Sequence, residues 1–293
     1  VIEPEDAGGV SAGWTRAMLN TPNVACVCNW YLHGGHNQAI DRRFGREQQS
    51  ALPSIAGIVR HNRAFLRRAV LFGCRTGISQ FLDIGCGVPT AGDVHELAGR
   101  TNPGSRCVHA DIDHTVLAHR QLALRNHLNE HRLAVVAEDL RAPRRLLTAA
   151  AATGLIDLEL PLMLVMSAVA HFVGPDTDLA AVLARYRDAV APGSLVAVSH
   201  MTIDGVPQPW AAWGERFRRG YAQTNHTLHY RSWREFEDLF QGWELLSPGM
   251  AWAPQWNPDT PPDTDPALAM TMTAVARRGT DGQPQHNEAG EPR

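Results

Sequence analysis

The chain has 293 residues, long enough for one large domain with additions or for two small ones. Its 44% hydrophobic and 19% charged residues fit a soluble globular protein, and a net charge of −3 from 27 basic and 30 acidic residues argues against nucleic acid and an anionic membrane as partners. No apolar run approaches a membrane span, no basic-then-apolar leader is present, and five cysteines, an odd number lying mostly in apolar runs, read as reduced thiols of a cytoplasmic protein.

Residues 1–22, rich in Gly, Pro and acids and without a period, read as a flexible arm. Residues 23–78 read as a helical cap. It opens on an apolar stretch with the aromatic pair Trp30 and Tyr31, both candidate substrate contacts. The polar turn His33, Gly34, Gly35, His36 follows, and then a helix containing Asp41 and Arg42. A longer helix starts after Pro53. Ile58, Val59, Phe65, Leu66, Ala69, Val70 and Leu71 recur at three and four, and Arg60, Arg63, Arg67 and Arg68 read as its solvated face.

Five apolar strands follow, at Gln80 to Ile84, Arg106 to Ala110, Leu133 to Ala137, Leu160 to Ser167 and Ser194 to Ser199. Helices alternate with them, through Val94 to Ala98, Val116 to Leu124, Ala149 to Thr153 and Leu179 to Val190. Strands apolar on both faces predict a doubly wound α/β fold, a parallel sheet covered on both sides. An aromatic insertion at about 204–232 carries Trp210 and Trp213. Ser232 and Glu235 form a capping box for a helix to Phe240, and Glu244 to Ala251 and Ala267 to Ala276 read as the last two strands. Residues 279–293 read as a disordered tail.

The chemistry centres on QFLDIGCGVPT, Gln80 to Thr90. A buried strand running into Gly85, Cys86 and Gly87, then Pro89 and Thr90, is the start of a nucleotide site, because glycines let backbone approach a ligand. Acids mark the ends of three successive strands: Asp83 before the turn, Asp111 at the spacing of an acid that grips ribose hydroxyls, and Asp139 where an adenine amino group can be met. The dinucleotide fingerprint is incomplete, since Thr90 stands where its third glycine belongs and the next glycine is Gly92, which counts against a nicotinamide oxidoreductase. Cys26 and Cys28 lack a second pair and His226 and His229 lack an acid, so no metal is expected.

The segments NRAFLRRAV (Asn62 to Val70), QFLDIGCGVPT, HADIDHTVLAH (His109 to His119) and PGSLVAVSH (Pro192 to His200) together resemble an actinobacterial family of S-adenosylmethionine-dependent methyltransferases once classed as a domain of unknown function. The match runs from about Val24 to Arg278. The resemblance implies a seven-stranded class I methyltransferase sheet, Rossmann-like, over residues 79–278, with an N-terminal helical cap. It implies S-adenosyl-L-methionine or S-adenosyl-L-homocysteine as cofactor. Gly85 and Gly87 would face the methionine part, Asp111, Ile112 and Asp113 the ribose, Asp139 and Leu140 the adenine, and Ser167, Ala168 and on to His171 the floor after the fourth strand.

In that family a Tyr-Asp-Tyr segment precedes Leu-Gly-Gly and Lys-Asp-Asn. Aligned without gaps, this chain has Cys28, Asn29, Trp30, then Leu32, His33, Gly34, then Gly35, His36, Asn37. Two acids are thus Asn29 and His36, while Asp41 and Arg42 match. The expected function is methylation of a small molecule in secondary metabolism, with antibiotic biosynthesis as one setting. The alternative keeps the pocket for a non-methylating reaction of cyclase type or for ligand sensing.

His171 and His200, expected at the ends of strands four and five, are candidate general bases, and His33 and His36 could approach from the cap. Each histidine could equally shape a wall or sit in a solvated turn. Trp210, Trp213, Trp252 and Trp256 either form a pocket for a flat substrate or pack. The expected partner is a small molecule, with a homodimer left open.

Overall fold

The computed structural model describes residues 20–125 and 130–279, so the expected arm and tail lie almost wholly outside the described residues. Strands β1 (Gln80–Ile84), β2 (Arg106–Asp111), β3 (Leu133–Ala137), β4 (Met163–Met166) and β5 (Leu195–Met201) pair in parallel in the order β3-β2-β1-β4-β5. β8 (Thr271–Arg277) runs antiparallel beside β5 and carries two short edge segments, β6 (Glu244–Leu245) and β7 (Ala251–Trp252). The stretch expected as one strand from Glu244 to Ala251 is therefore split. Pro248 has no N–H to give β8, and Gly249 takes a left-handed φ of +83°, so the ladder stops after Leu245 and resumes at Ala251.

The helices cover both faces. Helices α6 (Pro143–Ala152), α7 (Leu179–Ala189) and α9 (Trp233–Asp238) lie on the face to which Leu82, Ile84, Leu164, Met166, Val196 and Val198 point. The other face is covered by α4 (Val94–Thr101) and by α3 (Ile55–Arg75), whose Phe65, Leu66, Ala69 and Val70 pack with Phe81, Met163, Val165 and Val275. Burying a side chain such as Phe65 contributes about 1.5–3 kcal/mol. Its close fit is visible at Gly73, where a Cβ would stand 2.7 Å from the sulfur of Met163. The C-terminal part of α3 is thus a layer of the sheet rather than part of a detached cap.

The arginines of α3 are not simply a solvated face. Arg68 donates to the carbonyls of Trp256 (2.7 Å) and Ala253 (2.6 Å), and Arg67 pairs with Asp259. Helices α1 (Val24–Tyr31) and α2 (Ala39–Ala51) pack instead with α8 (Trp210–Gly220) in a third buried cluster, which includes Tyr31, Phe44, Ile58, Met201 and Phe217. Helix α5 (His114–Arg125) follows β2. The carboxyl ends of the parallel strands therefore meet α1, the start of α3 and α8, and a cavity lies between them.

Candidate active site

The turn after β1 is wired from below. Gly85 (φ +69°) and Gly87 (φ +61°) occupy the left-handed region, and a Cβ on Gly85 would fall 2.2 Å from a methyl of Val169 in the loop after β4. Only glycine allows that contact. Beneath the turn lies the buried Arg120 of α5. Its Nε is 2.6 Å from the Gly87 carbonyl, its Nη2 2.7 Å from the Cys86 carbonyl and its Nη1 2.5 Å from Asp93 Oδ2. Arg63 of α3 donates to the same Asp93 carboxylate at 3.2 Å and to the Ala91 carbonyl, and it lines the cavity. Burial pushes Asp93 upward, but the two guanidiniums prevail and hold it below the usual carboxylate range. Burial pushes the Cys86 thiol well up, so it stays protonated.

The acids that follow β2 and β3 lie on the cavity wall. Asp111 accepts from the backbone N–H of Gly87 at 3.1 Å and of Asp113 at 3.0 Å, and burial, opposed by these donors, raises its pKa. Ile112 beside it is 42% exposed, an apolar rim. Asp113 is largely taken up by the fold. One oxygen accepts from Thr115 and Val116 at the start of α5, and the other accepts from Asn23 (2.7 Å) and Asn225 (2.6 Å). It thereby ties the entry to α1 and the loop after α8 together across the rim. Burial raises Asp139, but four hydrogen bonds from Arg141 outweigh it and leave the carboxyl below its ordinary range. Leu140 lines the wall beside it. After β4, Ser167 accepts from Asn62 at 3.1 Å, and Ala168, at a left-handed φ of +56°, gives its N–H to Ser199 at 2.8 Å.

Of the expected site residues, the wall thus gathers Gly85, Cys86, Gly87, Thr90, Asp111, Ile112, Asp113, Asp139, Leu140, Ser167, Ala168, Tyr31 and His171. Others go elsewhere. Asp83 alternates away from Leu82 and Ile84, and its carboxylate meets Nδ1 of His109, its direct register partner on β2, at 2.9 Å. Pro89 contributes only a carbonyl, to Asn29 at 3.3 Å. His200 is inside β5, which runs to Met201 rather than stopping at Ser199. Its Nδ1 donates to the Met201 carbonyl (2.7 Å) and its Nε2 accepts from Arg231 (2.8 Å), so it is not a cleft base. Burial drives its pKa well below the usual value.

His33 is an exposed turn residue at φ +60°, and His36 packs against His119 of α5, Nδ1 to Nδ1 at 3.2 Å. Trp30 covers Gly45, and Trp210 and Trp213 stack edge-on at 5.6 Å against the third cluster. Trp256 is buried against Phe65, and Trp252 against Trp233, so both pack.

Residues not foreseen include Arg63, Asn62, Glu138 and Arg141 on the polar wall, and Phe172, Met201, Phe217, Tyr221 and Leu228 on the apolar one. Asn62 and Arg63 recur with Ile55, Ile58 and Val59 on one stripe of α3, the signal that could have placed them. His171 sits in a short turn after β4, buried, with Nδ1 3.4 Å from the Met201 N–H. Burial, then the Arg231 guanidinium, takes its pKa down to about 3.

The two departures in the N-terminal motif are absorbed by packing. The Asn29 amide donates to Pro89 O and Thr90 Oγ1 and accepts from His36 N–H and Asn37 Nδ2, so it joins α1, the turn after it and the turn after β1. A carboxylate there could not donate to the Pro89 carbonyl.

The model of one family, described as S-adenosyl methyltransferase, matches residues 14–279. A candidate methyltransferase from Thermobifida fusca is 30% identical over 89% of this chain and 96% of its own, with a TM-score of 0.80. A DUF574 family protein from Streptomyces avermitilis is 31% identical over 88% of this chain and 98% of its own, also at 0.80. No curated protein matches. With a class I sheet, a glycine turn beneath a cavity and this match over most of its length, the chain belongs to the S-adenosyl methyltransferase family and is an S-adenosylmethionine-dependent methyltransferase.

Proposed function

We propose that the enzyme methylates a small molecule of secondary metabolism, and that the polar half of the cavity holds the cofactor. One observation carries the reading: the glycine turn, Asp111 and Asp139 line one continuous wall at the strand ends. The donor set fits the group. Gly87, where a Cβ would meet nothing nearer than the methyl of Ala25 at 3.8 Å, leaves room at the turn for the amino-acid part, with Arg63 as the nearby cation for its carboxylate. Asp111 retains free lone pairs for ribose hydroxyls, and Ile112 and Leu140 offer apolar faces to an adenine beside the Arg141-bound carboxylate of Asp139.

S-adenosylmethionine brings a methyl group already activated on a sulfonium. The protein's own work is then alignment and exclusion of water, and positioning of this kind can lower a barrier by about 7–11 kcal/mol. Asp113, by tying Asn23 to Asn225, closes the rim over the polar half. Arg120 and Asp93 keep the turn rigid. The five free cysteines support a reducing, cytoplasmic setting, and among the described residues no helix is long and apolar enough to cross a membrane. Calorimetric titration with S-adenosylhomocysteine tests the site. A one-to-one isotherm that Asp111→Ala weakens about 100-fold is expected, and an isotherm insensitive to that change places the cofactor elsewhere.

A further inference from the structure

The cavity wall is divided by charge. Among the described residues its charged side chains are Arg63, Asp111, Asp113, Glu138, Asp139 and Arg141. Five of these stand in the segments at and after the ends of β2 and β3, and Arg63 turns to Asp93 beside the glycine turn. The opposite part of the wall presents Tyr31, Ile58, Phe172, Met201, Phe217, Tyr221 and Leu228, with His226 beside Phe172 (ring centroids 6.1 Å apart) and no Asp, Glu, Lys or Arg among them. These hydrophobic side chains pack in or against one cluster, so the surface is fixed. Several polar atoms there are already committed to backbone. Tyr31 OH donates to the Gly45 carbonyl (3.1 Å), Thr271 OH to the Ala269 carbonyl (2.8 Å), and Ser199 Oγ accepts from Ala168.

His171 is different. A backbone N–H can only donate, so the Met201 N–H facing Nδ1 makes that nitrogen the acceptor and places the ring proton on Nε2. Arg231 holds the turn that carries this ring, through the carbonyls of Ala170 (3.2 Å) and Val173 (3.0 Å), and is itself held by His200. The result is a neutral N–H donor at a fixed place in a chamber free of Asp, Glu, Lys and Arg.

We propose that the methyl acceptor is an uncharged, flat, largely apolar molecule, and that His171 orients it by donating from Nε2 to an oxygen beside the transfer position. The proposal rests on the cofactor reading above and adds the class of substrate to it. An ion in this chamber would leave water with no counter-charge, whereas rings gain from the aromatic and aliphatic wall. A donor on Nε2 suits a hydroxyl or carbonyl oxygen and repels an ammonium. His171 is on this account a substrate-orienting residue and not the general base that its place after β4 first implied.

The test uses the full chain loaded with S-adenosylhomocysteine and equilibrium dialysis at neutral pH against four probes of similar size: 2-naphthol, naphthalene, 2-naphthoate and 2-naphthylmethylammonium. 2-Naphthol is expected to bind at least about tenfold more tightly than either ion, and several-fold more tightly than naphthalene. His171→Phe should bring 2-naphthol down to the level of naphthalene, and His171→Gln, whose amide N–H can stand in for the ring N–H, should keep most of the difference. An ion that binds as well as 2-naphthol, or no binding by any of the four, overturns the proposal. Equal weakening of 2-naphthol and naphthalene by His171→Phe overturns the orienting role. Failure of the protein to take up S-adenosylhomocysteine at all is a separate result and removes the cofactor reading instead.

Discussion

The two halves of the cavity are made by the chain in different ways. The polar half comes from consecutive strand–turn–helix units: Gly85 to Gly87, Asp111 to Asp113 and Glu138 to Asp139 each stand at or directly after the end of their own strand. The uncharged half collects Tyr31, Ile58, His171, Met201, Phe217 and Leu228 from segments far apart in sequence. In the first half geometry is set by backbone and by hydrogen bonds to it. In the second it is set by packing. Substitutions should therefore act through wiring on one side and through shape on the other.

The largest effect should come from the wiring. Arg120→Met leaves the Asp93 carboxylate buried with Arg63 and the Thr90 N–H as partners and takes the donor from the Cys86 and Gly87 carbonyls. Removing one partner of such a pair costs about 3–5 kcal/mol. Urea unfolding should show a loss of that size, and a loss under about 1 kcal/mol would mean the turn is held by something else. Asp111→Ala should cost less in stability and more in binding. Losing charged acceptors for two ribose hydroxyls is expected to weaken S-adenosylhomocysteine about 100-fold, or about 2.7 kcal/mol, by calorimetry. If Asp111→Ala also weakened naphthalene binding to that degree, the division between the halves would not hold.

The same division governs what the sequence discloses. The five parallel strands and the glycine turn follow from apolar runs and local punctuation, and so do Asp111 and Asp139. Asp83 misled because a strand end does not tell which face a side chain takes. One step of alternation sends it to His109, and its register partner was not readable locally. His200 misled because β5 continues along β8 for two more residues, a tertiary fact. Arg120 was readable in principle: it lies three and four residues after Leu117 and Val116, on the buried side of α5. The uncharged wall was not readable, because no spacing rule links Tyr31 to Met201 or Leu228.

Acid should separate the halves further. Burial lowers the pKa of His171 to about 3, against an ordinary 6.5, and lowers His200 as well. Between those values the unfolded chain binds protons that the folded chain refuses, so stability is full above about pH 6.5 and falls as pH drops toward 3. Each such histidine contributes a slope of about 1.4 kcal/mol per pH unit. From pH 6.5 to 5.5, where the unfolded imidazole goes from half to almost fully protonated, His171→Phe should therefore lose about 1 kcal/mol less than the wild type by urea unfolding. Identical slopes in the two proteins would mean that His171 charges within the fold, and with that its place as a neutral donor would go.

The smallest effect concerns α8, where aromatic residues were foreseen but their facing was not. Ala211, Gly214 and Phe217 are its buried face, and Gly214 is pressed so closely on Met270 that a Cβ would stand 2.4 Å from its methyl. That contact fixes the rotation of the helix. It points Phe217 to the cavity and leaves Trp213 edge-on to Trp210, off the wall. Trp213→Phe keeps a ring in the cluster and changes no lining atom. Affinities for S-adenosylhomocysteine and for 2-naphthol should both shift less than about twofold, or about 0.4 kcal/mol. A fivefold loss for 2-naphthol alone would put Trp213 against the acceptor and turn α8 by most of a face, and Phe217 would then have to leave the chamber.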